Sequence, residues 1–400
     1  MRLERIRAGS PQGLEGSIRS VPFNRPSLVG RELAYIEDAI DRGQLSGDGH
    51  FTQLCNAIIA ERAGAQAALL THSGTAALEM AAILCDLKSG DEVIMPSFTF
   101  VSTANAVVLR GATPVFVDID PVTFNIDPNR VRTAITDRTK SIFAVHYAGF
   151  PADMDPLMDL ARRYDLILVE DAAQALGSTY KGKPAGGLAD MGAFSFHETK
   201  NILSGEGGAL TINRPDLLER AKIVREKGTN RSQFIDGLVD KYTWVDLGSS
   251  FLPGELIAAF LYGQLQHIDR ITERRTALFN HYVDAFADFP ERFGIQLPKS
   301  CNDVNGNGHM FYLIMPEPAH RSAFIQGMAA EGIGTPFHYV PLHSAPAGQR
   351  FGRTCGSMQH TDHVAARLVR LPMFFGLGAD VDHVVEACRK VVMMLLACRR

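Results

Sequence analysis

Three short motifs carry side chains that could do chemistry, and each follows a run that is typical of a buried β-strand. HSGT (72–75) opens a helical pattern, so its amide groups and small residues suit a phosphate. EDAAQ (170–174) places carboxylates at a strand end, where burial requires a positive partner such as a protonated pyridine nitrogen. Lys200 lies beside the glycine-rich stretch 205–208, and burial would lower its pKa enough for Schiff-base chemistry.

Each motif also has an ordinary structural explanation. Ser73 or Thr75 suits a plain helix N-cap, Asp171 suits a cap of the next helix, and Lys200 suits an exposed loop. Together, however, they supply a phosphate site, a partner for a pyridine ring and a reactive amine. These are the groups that a protein contributes to pyridoxal phosphate chemistry, so we predict pyridoxal 5′-phosphate as the cofactor.

Apolar runs predict the strands that position these motifs, because several lack the polar alternation of half-exposed strands. The runs are AALLT (67–71), EVIM (92–95), PVFVD (114–118), SIFAV (141–145), LILVE (166–170), GAFSF (192–196) and GALTI (208–212). Helical spacing between them, as in 75–86 and 154–164, predicts an α/β fold with a mainly parallel sheet. Ligands bind beyond the carboxyl ends of such strands, where the three motifs stand.

The rest of the chain predicts a second, smaller region. A continuous helical pattern over 254–286 predicts one long connecting helix out of the large domain. Beyond it we predict an α+β region with a strand at 311–315 and helices near 320–331 and 380–396. The domains predicted from this pattern are a flexible tail over 1–20, a large cofactor-binding domain over 21–287 and a small C-terminal domain over 288–400.

Composition excludes several classes of protein. The 400 residues are 46% hydrophobic and 21% charged, which excludes a disordered chain. The net charge of −4 gives no basic footprint for nucleic acid, and no apolar run is long enough to span a membrane. The six cysteines are scattered without a CxxC pair and no secretory signal is visible, so we expect a cytoplasmic protein. No HExxH or GxGxxG motif is present, and we predict no metal.

The order of the motifs resembles that of the DegT/StrS-type sugar-nucleotide aminotransferases, over residues 21–400. The resemblance is carried by SGT (73–75), EDAAQA (170–175), SFHETKN (195–201) and GEGG (205–208). Further stretches are similar to the dTDP-4-amino-4,6-dideoxygalactose transaminases (WecE-like), among them PSFTFVSTANAVVLRGA (96–112), VHYAG (145–149), REKGTNRSQF (225–234), HMFY (309–312) and FHYVPLH (337–343). The resemblance implies the type I, aspartate aminotransferase-like fold and a homodimer with active sites at the subunit interface.

The resemblance also implies a role for each matching residue. Lys200 forms the Schiff base with the cofactor and then moves protons between substrate and cofactor. Asp171 pairs with the pyridine nitrogen, Gln174 lies beside the ring, and Phe100 stacks on it, although Phe100 also suits an ordinary core position. The implied phosphate contacts are Gly74, Thr75 and Ser195.

One stretch departs from the family pattern. Within LGSSFL (247–252), Ser250 stands where many members carry an asparagine that reaches the neighbouring subunit's phosphate, and Leu252 replaces an arginine. A serine hydroxyl can still donate one hydrogen bond. The candidate substrate-binding residues are Asn24, Arg25, Ser46, Gly47, Arg231, His338, Tyr339 and His343. His343 suits a satisfied loop histidine equally well, and Arg231 suits a surface ion pair.

The resemblance implies transamination, because a related branch that dehydrates sugars replaces the lysine at position 200 with histidine. The expected reaction moves the amino group of L-glutamate to the 4-keto group of dTDP-4-dehydro-6-deoxy-D-glucose. The expected products are dTDP-4-amino-4,6-dideoxy-D-galactose and 2-oxoglutarate. Two alternatives stay open: a transaminase that gives the gluco-configured product or uses another keto sugar nucleotide, and a regulatory pyridoxal phosphate protein without catalysis.

Overall fold

The computed structural model describes residues 19–299 and 303–396. The tail predicted over 1–20 lies almost wholly outside the described residues, as do Cys301 and Cys398. An eight-stranded, mainly parallel sheet with helices packed against it forms the centre of the structure. The predicted α/β fold class is therefore confirmed.

The strands begin and end as follows. They are β1 (Ala67–Thr71), β2 (Glu92–Pro96), β3 (Thr113–Val117), β4 (Thr139–Val145), β5 (Ile167–Asp171), β6 (Thr179–Tyr180), β7 (Lys183–Pro184), β8 (Met191–Ser195), β9 (Gly208–Ile212), β10 (Val304–Asn305), β11 (Phe311–Ile314), β12 (Arg353–Thr354) and β13 (Leu368–Leu371). Each of the predicted runs forms a strand, with ends displaced by at most two residues.

The helices surround these strands. They are α1 (Glu32–Asp41), α2 (His50–Ala63), α3 (Gly74–Leu84), α4 (Val101–Val108), α5 (Pro128–Ala134), α6 (Met154–Tyr164), α7 (Pro215–Arg225), α8 (Arg231–Ile235), α9 (Glu255–Leu265), α10 (Ile268–Ala285), α11 (Phe289–Phe293), α12 (Pro318–Ala330), α13 (Pro346–Phe351), α14 (Gln359–Arg367) and α15 (Asp380–Leu396). Within the described residues, no helix is long and apolar enough to cross a membrane.

The strand order of the central sheet is β1-β9-β8-β5-β4-β2-β3-β12, and β9 alone runs antiparallel to its neighbours. The register of the paired strands brings the three motifs to one edge of the sheet. Thr71 and Ser195 both pair with Gly208, while Asp171 pairs with Ala193 on the neighbouring strand. The carboxyl ends of β1, β8 and β5 therefore lie at the same edge of the sheet, with the start of β9 between those of β1 and β8.

The prediction of one long helix over 254–286 is wrong, because the chain forms two helices that separate at Gln266 and His267. The two helices serve different cores. α9 packs in the cluster under the sheet with α2, whereas α10 carries Leu278 and Tyr282 into the C-terminal cluster. Neither glycine nor proline marks the break, so the periodic pattern alone could not reveal the change of direction.

The C-terminal region has its own core, in which α12 and α15 pack beside the antiparallel pair β11 and β13. Three connections cross the boundary predicted at residue 288. β10 pairs with β6, β12 pairs with β3, and Val21 forms a bridge with Ile333 inside the C-terminal core. The division into domains at this residue stays a prediction.

Candidate active site

A cavity of about 550 Å³ opens at the carboxyl edge of the central sheet. Strand ends of the sheet form one side, and loops of the C-terminal region form the other. The sequence-predicted residues that line it are Asn24, Gly74, Thr75, Phe100, Asp171, Gln174, Ser195, Lys200, His338 and Tyr339. The structure thus brings the three motifs of the sequence into one site.

Lys200 lies in the turn that follows β8, where its backbone amide donates to the carbonyl oxygen of His197 at 2.9 Å. Burial lowers the pKa of its ammonium group to about 8. The carboxylate of Asp171 opposes this shift of the pKa and the guanidinium of Arg370 adds to it. A lysine with this pKa has a substantial fraction of free amine near neutral pH, as nucleophilic chemistry requires.

The two carboxylates at the end of β5 point to opposite faces of the sheet. Asp171 faces the cavity and accepts a hydrogen bond from the Thr103 hydroxyl at 2.7 Å. Glu170 is fully buried on the other face, where it accepts from three backbone amides and contacts His146 Nε2 at 2.8 Å. Because successive side chains of a strand alternate between faces, Asp171 is free for a ligand and Glu170 is structural.

The first turn of α3 forms an anion site at the cavity floor. Ser73 caps the helix by accepting from the Ala76 amide at 3.0 Å, so the helix N-terminus is fixed at this point. A Cβ on Gly74 would lie 2.7 Å from the Ser195 Cβ, so only glycine allows this close approach. The hydroxyls of Thr75 and Ser102 lie 2.7 Å apart beside the same turn. Amides and hydroxyls thus converge where a phosphate fits.

Polar and aromatic groups connect the sheet side of the cavity to the C-terminal side. Gln174 accepts from the Ala148 amide at 2.8 Å and donates to the Tyr339 hydroxyl at 2.9 Å, which joins the sheet to the C-terminal loops. Phe100 immediately precedes α4 at the rim of the cavity and is 56% exposed, and its ring centroid lies 6.4 Å from that of Tyr339. The stacking role of Phe100 stays a prediction.

Among the residues that the structure adds to the site are two charged or titratable residues of the C-terminal region that sequence reasoning did not select. His309 lines the cavity from the loop before β11, and Arg370 lines it from β13. Arg370 Nη2 donates to the Phe337 carbonyl oxygen at 3.1 Å, while its buried Nε has no hydrogen-bond partner among the described residues. A charged residue inside the apolar run LVRL was the available signal for Arg370, and HMFY was the signal for His309.

Some of the residues predicted to contact the substrate or the phosphate do not line the cavity of their own chain. Arg25 lines a small void that adjoins it on the far side of Lys200. Ser250 pairs with Glu226 in an isolated bridge, and Arg231 forms an ion pair with the same glutamate at 3.1 Å. Arg231 also lines a separate cavity beside α2 and α7. The roles of these residues stay predictions.

Three further candidates lie in other surroundings. Ser46 and Gly47 occupy the loop before α2, and a Cβ on Gly47 would lie 2.5 Å from the Pro253 carbonyl oxygen. The Nδ1 of His343 lies 2.7 Å from the Ser97 hydroxyl, and its Nε2 lies 3.4 Å from the Asp362 carboxylate. Both ring nitrogens of His343 therefore have polar neighbours, as expected for the structural loop histidine that the sequence analysis considered.

Comparison with known proteins agrees with this site. The profile of the DegT/DnrJ/EryC1/StrS aminotransferase family matches residues 26–389. The chain is 32% identical to the GDP-perosamine synthase of Caulobacter vibrioides, over 92% of this chain and 97% of that one. It is 33% identical to the spore coat polysaccharide biosynthesis protein SpsC of Bacillus subtilis, over 93% and 97%. The aminotransferase TlmJ of Streptoalloteichus hindustanus superposes with a TM-score of 0.86 at 29% identity, over 93% and 99%.

Aminotransferases of this family use pyridoxal phosphate, and the residues of the cavity fit that group. The anion site at α3 suits the phosphate, the Asp171 carboxylate suits the protonated pyridine nitrogen, and the Lys200 amine suits the aldehyde. Gln174 and Phe100 line the space between these groups. The cavity therefore has the dimensions and the donor set that the cofactor requires.

Proposed function

Because the chain belongs to the DegT/DnrJ/EryC1/StrS aminotransferase family, we propose that it transfers the amino group of L-glutamate to a 4-keto sugar nucleotide. The proposed acceptor is dTDP-4-dehydro-6-deoxy-D-glucose, and the proposed products are dTDP-4-amino-4,6-dideoxy-D-galactose and 2-oxoglutarate. The observation that carries the proposal is the buried Lys200 amine, which shares one cavity with Asp171 and the anion site.

The chain's own residues have distinct tasks in this reaction. Bound pyridoxal phosphate supplies an electron-accepting ring that stabilises negative charge on the substrate carbon. Asp171 keeps positive charge at the pyridine nitrogen, with its carboxylate oriented by Thr103. Lys200 Nζ takes and returns the proton in both half-reactions, since its pKa of about 8 lies near neutral pH.

Arg370 is the proposed partner of the amino donor's carboxylate. Of the described residues that line the cavity, only Lys200 and Arg370 are lysine or arginine, and only the Arg370 guanidinium stays charged throughout the pH range in which enzymes work. Lys200 is committed to the cofactor, so the guanidinium is left for the carboxylate. Its buried Nε without a partner provides the unfilled hydrogen bond, and guanidinium groups suit bidentate carboxylate contacts.

We also propose that two chains pair and share their active sites. The segment that carries Arg231 and Ser250 exposes large apolar side chains, with Ile235, Leu238 and Trp244 all more than 60% exposed. Exposed apolar patches of this kind mark interaction surfaces. A partner that covers them would bring Ser250 toward a second active site.

Complementation tests the shared site. If Ser250 serves the partner's cofactor, mixed dimers of Lys200→Ala and Ser250→Tyr chains contain one intact site and regain activity that neither parent has. Mixed dimers of Lys200→Ala and Asp171→Asn are the matched control, because both residues line one chain's cavity and no intact site can form. Equal activity in the two mixtures would argue against sharing.

The similarity to a GDP-perosamine synthase favours a second candidate, in which the acceptor carries GDP instead of dTDP. Turnover with each keto sugar nucleotide, followed by NMR of the product, separates the two and gives the configuration at carbon 4. We propose a cytoplasmic enzyme in either case, since Cys55, Cys85, Cys355 and Cys388 are free thiols.

The first experiment is a visible absorption spectrum of the purified protein with pyridoxal phosphate. We expect a band that L-glutamate bleaches and that the keto sugar nucleotide restores. A band that glutamate bleaches and neither nucleotide sugar restores would keep the transaminase but discard both acceptors. A protein that stays colourless with added cofactor would overturn the proposed function.

A further inference from the structure

We propose that His309 is a specificity residue, whose unprotonated Nε2 accepts a hydrogen bond from a hydroxyl group of the sugar substrate. This inference rests on the proposed function and adds a named contact to it. His309 lines the same cavity as Lys200 and faces it from the C-terminal region. A chain of hydrogen bonds fixes which of its ring nitrogens carries the proton.

The chain begins at Asn201, the residue after Lys200. Its side-chain Nδ2 donates to the Asn307 carbonyl oxygen at 2.9 Å, so its Oδ1 is turned toward His309. This Oδ1 lies 3.0 Å from the Nδ1 of His309 and can only accept. Neutral His309 therefore carries its proton on Nδ1, and Nε2 keeps a free lone pair.

The loop that carries His309 is anchored at three consecutive residues, Asn307, Gly308 and His309. Asn307 Nδ2 donates to the Gln174 carbonyl oxygen at 2.9 Å. Arg275, buried on α10, donates to the carbonyl oxygens of Gly308 at 3.1 Å and His309 at 2.6 Å. Gly308 has a φ of +62°, and a Cβ there would lie 2.6 Å from the Arg275 backbone, so the loop has no room to shift. The imidazole is thus held in place before a ligand binds.

The charges around His309 keep the ring neutral. Burial, followed by the positive charges of Lys200, Arg275 and Arg370, holds the pKa of His309 well below its usual range. The pKa of His338 is lowered in the same direction, first by burial and then by the charges of Arg370 and Lys200. An unprotonated Nε2 accepts from a hydroxyl, whereas a carboxylate offers no proton to it. This nitrogen therefore suits a hydroxyl group of the sugar and offers nothing to the two carboxylates of L-glutamate.

Separate measurement of the two half-reactions tests the contact. The variant His309→Phe keeps a planar ring but removes the lone pair. We expect its reaction with the keto sugar nucleotide to fall about tenfold or more, as loss of a buried hydrogen bond predicts, and its reaction with L-glutamate to change less than about threefold. His281→Gln, on the exposed side of α10, is the control and should change neither reaction.

A second variant tests the tautomer itself. Asn201→Asp places a carboxylate beside the Nδ1 proton, which raises the pKa of His309. Protonated His309 cannot accept at Nε2, so the acid limb of the sugar half-reaction should move to higher pH by more than that of the glutamate half-reaction, in which only the pKa of the neighbouring Lys200 changes. Nitrogen-15 NMR of histidine-labelled protein should show a ring with a protonated Nδ1 and an unprotonated Nε2 whose signals are absent from the spectrum of His309→Phe.

The outcomes separate this inference from the proposed function. A wild-type protein that reacts with no keto sugar nucleotide refutes the proposed function. If the wild type does react, equal losses in both half-reactions of His309→Phe, or no loss in either, overturn the assignment of His309. A proton found on Nε2 by NMR would overturn it as well.

Discussion

The two walls of the cavity differ in how they are built. The sheet wall consists of the residues at strand ends, namely 73–75, 171, 195 and 200, and its positions follow from the register of β1, β8 and β5. The C-terminal wall consists of His309, His338, Tyr339 and Arg370, which come from separate loops and from β13. The sheet wall is matched to a fixed cofactor, and the C-terminal wall faces the space that exchanging substrates would occupy.

The largest expected effect is on the sheet wall. Lys200→Ala removes the amine that moves the proton, so we expect turnover to fall by at least about 10³-fold. Circular dichroism should show an unchanged fold. The measurement is single-turnover kinetics with L-glutamate and then with the keto sugar. Normal multiple turnover in this variant would remove Lys200 from the mechanism.

Neighbouring carboxylates on β5 give a matched pair of substitutions. Asp171→Asn keeps the shape but removes the charge in the cavity, so we expect activity to fall about hundredfold or more with little loss of stability. Glu170→Gln cannot accept all its buried hydrogen bonds, so we expect a loss of about 1–3 kcal/mol in unfolding free energy.

Activity and urea unfolding of both variants provide the comparison. If Glu170→Gln lost activity without losing stability, the two faces of β5 would not have the separate tasks assigned to them.

On the C-terminal wall, Arg370→Gln should weaken the binding of L-glutamate more than it disturbs the packing of the wall. Without the guanidinium, the carboxylate of L-glutamate loses a charge-assisted hydrogen bond, so we expect its KM to rise about tenfold or more. The rate of cofactor uptake should fall only slightly near neutral pH, because the pKa of Lys200 rises a little when the guanidinium is removed. Initial-rate kinetics at varied glutamate concentration measure the effect, and an unchanged KM would contradict the proposed contact.

The smallest effect concerns pH. The free amine of Lys200 is the nucleophile in cofactor uptake, and its pKa is about 8, so uptake should accelerate as the pH rises toward that value. Between pH 7 and 8 the free-amine fraction rises about fivefold, and it levels off above pH 9. Stopped-flow absorbance of apoprotein mixed with pyridoxal phosphate measures this rate. A rate that fell over the same range would refute the assignment of the nucleophile.

Much of the sheet wall could be predicted from the sequence. Apolar runs identified the strands, and the residues after them, such as Asp171 and Lys200, followed from the rule that ligands bind at strand ends. His309 and Arg370 could not be selected in this way. Their place in the cavity depends on the fold of the C-terminal region against the sheet, which no local pattern encodes. The break between α9 and α10 was missed for the same reason.

The sequence by itself determined the strand-helix alternation, the order of the motifs and the chemistry that they offer. Those properties depend on side-chain type and local periodicity, which are present in every short segment. Only the tertiary structure decided that Glu170 is structural while Asp171 faces the cavity, and that the side-chain oxygen of Asn201 lies beside Nδ1 of His309. These outcomes depend on the groups that lie opposite each side chain, and residues far apart in the chain supply those groups.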